Sequence, residues 1–76
     1  MSSYTRHLDE IFKRAGVEKT PENRDALDRI IREELDMPRN NEDDVWEIVR
    51  EKILLHKDPK LEERVVKALV RHALMS

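Results

Sequence analysis

Two dipeptides, Thr20-Pro21 and Asp58-Pro59, fix where helices must begin in this chain. A short polar side chain caps exposed amides, and a proline at the first helical position gives up an N–H that would have no partner there. The stops are equally local. Gly16 stands where a left-handed C-terminal residue is wanted, and Pro38 disfavours helical geometry at Met37. Ser2 or Ser3 can cap a first helix. Asn40 or Asn41 can cap a third, whose first turn holds Glu42, Asp43 and Asp44 near the positive pole of the helix dipole. The chain therefore divides into four helices at about 4–15, 21–36, 42–57 and 59–74.

The spacing of apolar residues agrees. Tyr4, Leu8, Ile11, Phe12 and Ala15 form one stripe on the first helix, and Leu27, Ile30, Ile31 and Leu35 form another on the second. Asp9 to Lys13, Glu10 to Arg14, Asp25 to Arg29 and Asp28 to Arg32 are pairs four apart in the favoured acid-first order on the outer faces. This pattern opposes disorder, although 42% of the residues are charged. The expected fold class is all-α, a small single-domain bundle of four helices with short connections.

Length and composition narrow the function. A chain of 76 residues makes one domain at most and buries only roughly 60% of its unfolded surface, so a large enzyme with a deep cleft is not expected. The longest apolar runs, such as Ile53-Leu54-Leu55, hold three residues, too short for a membrane span or a signal peptide. The expected location is the cytoplasm. No cysteine is present, which removes disulfides and thiolate zinc sites. The absence of glutamine and cysteine beside abundant Glu, Arg and Lys matches the bias of thermophilic proteins, and also the ordinary preference of helix surfaces.

The last two helices differ from the first two in the width of their apolar faces. In the fourth, Leu61, Val65, Val66, Ala68, Leu69, Val70 and Ala73 occupy most of the circumference. In the third, Val45, Trp46, Ile48, Val49, Ile53 and Leu55 cover about half, with Leu54 on the opposite side. A helix apolar nearly all round wants cover on both sides. Either the fourth helix is a hub on which the others pack, or Leu54, Val66, Val70 and Leu74, with Met75 beside them, form an exposed patch for self-association or a partner. The small size of the chain tips the balance toward association.

No reaction chemistry is apparent. His7 precedes Glu10 in the reverse of the Glu-x-x-His order of carboxylate-bridged metal sites, and the residues three before His56 and His72 are Ile53 and Leu69. The hydroxyl residues Ser2, Ser3, Thr5, Thr20 and Ser76 lie near termini or at a cap. The sole glycine, Gly16, ends a helix, so phosphate-binding glycine loops are excluded. Glu42-Asp43-Asp44 lacks the spacing of a calcium loop. No cofactor or metal is expected, and the chain reads as non-enzymatic.

One charged feature remains. Lys60, Arg64, Lys67 and Arg71 recur at i, i+4, i+7 and i+11, with Lys57 just before, and place a basic strip along one edge of the fourth helix. It could follow a phosphate backbone, although Glu62 and Glu63 lie close by and a largely apolar helix must put its charges somewhere. Trp46 reads as a core anchor in register with Val49 and Ile53. The reading preferred is a protein–protein interaction module, a homodimer through the apolar surface of helices three and four. The alternative is a small nucleic-acid-binding protein using the basic strip.

Overall fold

The structure, a computed structural model, describes residues 4–56 and 58–75. The capping expected of Ser2 and Ser3, and the places of Lys57 and Ser76, fall outside the described residues. Among those described, a 3-10 segment, Tyr4–Leu8, leads into α1 (Asp9–Ala15), followed by α2 (Pro21–Glu34), α3 (Glu42–Val49) and α4 (Pro59–Met75). A π-helical segment, Arg50–Leu55, continues α3 directly. The architecture is the expected all-α bundle of four helices.

Capping chemistry sets the starts. The Thr20 hydroxyl accepts from the Asn23 amide at 3.1 Å, and Asn41 Oδ1 accepts from the Asp44 amide at 2.9 Å. Asp58 Oδ1 accepts from the amides of Lys60 and Leu61 at 3.1 and 3.2 Å. Each satisfies donors that a first helical turn leaves without partners.

Two helices end in the same way with different residues. At the end of α1, Gly16 is left-handed with φ 68°, while the Val17 amide reaches back to the Phe12 carbonyl at 3.1 Å. At the end of α2, Asp36 is left-handed with φ 56°, and the Met37 amide reaches the Arg32 carbonyl at 2.8 Å. Both are six-to-one C-terminal turns, and in each the apolar residue that follows, Val17 or Met37, packs on the core. Helix α2 thus stops at Glu34, short of the expected 36, because Pro38 holds Met37 out of helical geometry and the chain must reverse before it.

The first helix departs from expectation in kind. In a 3-10 turn, side chains three apart eclipse, so Tyr4 aligns with His7 and Thr5 with Leu8. Thr5 and Leu8 are buried, and Tyr4 and His7 both meet the Trp46 ring, at centroid distances of 6.2 and 5.0 Å. An α-helical register would set Thr5 about 60° round from Leu8 instead of in line with it. The phenol is held as well: the Tyr4 hydroxyl donates to the Asp28 carboxylate, which also accepts from Arg32 Nε at 3.0 Å. Arg32 in turn donates to the Asn40 carbonyl. One chain of polar contacts therefore ties the N-terminal segment, α2 and the 38–41 connection together.

The core combines Leu8, Ile11 and Phe12, then Leu27, Ile30 and Ile31, then Val45, Val49 and Ile53, then Leu61, Val65 and Leu69. Each set comes from one helix, with Leu8 on the 3-10 segment that leads into α1 and Ile53 on the π segment that continues α3, at spacings of three and four. Helix α4 touches α1, α2 and the π segment, as a hub would.

The two left-handed ends respond to substitution with opposite signs. Asp36→Gly should stabilise the fold by about 0.5 kcal/mol by relieving a left-handed residue that has a Cβ, while Gly16→Ala should cost about 1 kcal/mol. No atom lies within 4 Å of a Cβ built at Gly16, so that cost is conformational rather than steric. Paired thermal melts check both signs.

Burial, and then the Asp28 carboxylate, push the Tyr4 phenol well above its ordinary value of 10.0. The folded state holds this proton more tightly than the unfolded one. Its contribution is therefore complete below pH 10 and is lost as pH rises beyond. Tyr4→Phe should lower stability by about 1–2 kcal/mol at neutral pH and remove this part of the alkaline loss. Denaturant titrations at several pH values read the difference.

Candidate interaction surface

Helix α4 is the longest of the described helices. Its 17 residues span about 25 Å, against a longest dimension of 28 Å. Only Leu61, Val65 and Leu69, spaced by four, are buried. Val66 and Ala68 pack partly against the core, Val70 and Ala73 are half-buried, and Leu74 is 82% exposed. The inward face is narrower than the apolar arc, so the hub leaves apolar surface over.

That remainder has a definite shape. Glu62, Val66, Val70 and Leu74 are each four apart and make one ridge along the outer flank, drifting about 40° per step. Glu62 begins it on the α1 side, where it meets Arg14 Nη1 at 2.8 Å. Leu74 ends it in solvent.

Beside Glu62 lies a groove of about 300 Å³. Its apolar lining is Leu8, Ile11, Ile53 and Leu54, and its polar rim is His7, Glu10, Arg14 and Glu62. Leu54 is 42% exposed and owes its place to the π segment. An α-helix carries residues four apart about 40° further round at each step. The i→i+5 turn holds nearly one residue more and cancels that drift, so Ile53 stays in line with Val45 and Val49. Leu54 then falls beside the core, and Leu55, expected within the broad apolar face of the third helix, is 68% exposed. Bonds from the His56 amide to the Glu51 carbonyl at 2.9 Å and from the Asp58 amide to the Lys52 carbonyl at 2.8 Å close the wide turn.

Of the four candidate residues, Val66, Val70 and Leu74 share the ridge, and Leu54 sits in the groove. Glu62 joins the two, bordering the groove and heading the ridge. Its charge keeps it out of any apolar pattern, although its place four before Val66 is visible in the sequence.

The basic strip is exposed along its whole length, with Lys60, Arg64, Lys67 and Arg71 within about 60° of arc. Two of the four are in ion pairs: Arg64 Nε lies 3.0 Å from Glu34, and Lys67 Nζ lies 3.1 Å from Glu63. Trp46 lies next to the core line, half-buried, with His7 stacked on its ring, whereas Val45 and Val49 take the fully buried places. His56 is exposed, 3.9 Å from Glu51, and His72 is half-buried on α4. Among the described residues no group of three or more His, Asp or Glu side chains is placed to hold a metal ion, and no helix is long and apolar enough to cross a membrane.

The fold and surface define a class: a small helical bundle whose longest helix carries an apolar ridge beside a groove. No protein-family model, curated protein or solved structure matches the chain.

Proposed function

We propose that the chain is a non-enzymatic interaction module that forms a homodimer through the apolar surface of α4 and the π segment. The observation that supports this reading is the mismatch on α4. Three side chains suffice for the core, while Val66, Val70 and Leu74 form a ridge that none of the described helices covers fully. Leu54 and Leu74 leave large apolar area in water at the two ends of this surface, and association would remove it. The reading expects a solution mass of two chains by light scattering, retained in high salt because the contact is apolar. Val70→Asp should reduce the mass to one chain while circular dichroism shows the helix content kept. A wild-type mass of one chain at all concentrations would overturn the reading.

The alternative, nucleic-acid binding through Lys60, Arg64, Lys67 and Arg71, draws its support from the alignment of the four cations. The acidic partners of Arg64 and Lys67 weigh against it, since a phosphate would have to displace Glu34 and Glu63. It expects affinity for a duplex or single strand that falls steeply with salt, the logarithmic slope changing by about one unit for each cation removed. Retention on a nucleic-acid column that is indifferent to salt, or none at all, excludes it.

A further inference from the structure

We infer that two copies pair α4 against α4 in an antiparallel, crossed orientation, with Leu74 of each seated against the Leu54 groove of the other. This rests on the self-association reading above and adds the partner's orientation and register.

Each chain carries both halves of one contact. Leu74 is a knob, 82% exposed, and the groove of about 300 Å³ between Leu54 and Glu62 is a hole. Along α4 the twelve residues from Glu62 to Leu74 separate them by about 18 Å, so a chain cannot fill its own groove with its own knob. An antiparallel twofold pair satisfies both contacts at once and closes. A head-to-tail contact would satisfy one and leave the chain open to further addition.

The ridge fits the same geometry. Rows at i±4 on two helices interdigitate at a crossing angle of about −50°, the commonest class of helix packing. Run in opposite directions, the ridge of one copy lies beside that of the other. Val66 then neighbours the partner's Val70, and Glu62 neighbours the partner's Leu74.

Charge selects the direction. Lys60 and Arg64 balance Glu62 and Glu63 in the first half of α4, whereas the second half holds Lys67 and Arg71 and no carboxylate. Antiparallel pairing sets the basic half of each helix against the neutral half of the other, whereas parallel pairing would set the two basic halves together. The ion pairs these groups make within one chain, Arg14 with Glu62 and Lys67 with Glu63, are solvent-exposed on at least one side and give up little on rearrangement.

The absence of cysteine makes the test direct. Leu54→Cys and Leu74→Cys are both at exposed positions, and a disulfide needs Cα atoms within about 7 Å. After mild oxidation, an equimolar mixture of the two variants should give a covalent dimer containing one of each. Either variant alone should stay uncrosslinked, because like positions lie far apart in this register. Cross-linking of Leu74→Cys with itself would overturn the orientation. A mixture that remains dimeric by light scattering yet forms no cross-link would overturn the register while leaving self-association standing. A wild-type mass of one chain would remove both.

A charge swap decides independently of the thiols. Glu63→Lys should weaken the dimer several-fold, and Arg71→Glu in the same chain should restore it. Failure of that restoration counts against the antiparallel pairing.

Discussion

The contact that Leu61, Val65 and Leu69 make with the other helices carries this molecule. A chain of 76 residues with no cysteine has only its side-chain packing to hold it, and each fully buried leucine or valine supplies about 1.5–3 kcal/mol. Native stability is the small difference left when burial and conformational entropy nearly cancel. Removing any one of the three would leave a cavity between α4 and the helices it touches, and would cost a large share of that difference. Their spacing of four uses one narrow line of a helix whose apolar arc is much wider. The fold thus stands on part of α4 and leaves the rest of its apolar side to other uses.

The same helix therefore holds the bundle together and offers the surface. Val66 shows how close the two roles lie, since it packs partly on the core and also belongs to the outer ridge. Val70 and Leu74, one and two steps further along, progressively leave the core. A residue's distance along this row sets how far a substitution there would act on the proposed association without acting on folding.

Much of the fold was legible because the signals are local. Thr20, Asn41 and Asp58 cap, Pro21 and Pro59 open helices, and Gly16 closes one, each through chemistry within a few residues. The departures are those that distant partners decide. Tyr4 reaches Asp28, 24 positions away, and Trp46 receives both Tyr4 and His7; no spacing rule within residues 4–15 announces a 3-10 turn. Asp36 in a left-handed conformation was likewise hidden, for its sequence neighbours suit two more helical residues. On the surface, the ridge could be read from the arc of α4 alone. The groove could not, because Ile11 and Arg14 come from one helix and Leu54 from another. The pairing of Arg64 with Glu34, 30 positions apart, was equally out of reach.

The π segment has a consequence for how this surface could arise or be lost. A wide turn holds one residue more than an α turn over the same arc. Arg50–Leu55 is where that surplus residue is stored. If the segment were one residue shorter and ordinarily wound, Leu54 would move round to the inward place of Ile53, and the outward place beside the groove would pass to Leu55. Chain length at this point acts as a selector between leucines, and a single-codon deletion could redraw the face of the molecule while every other helix kept its sequence.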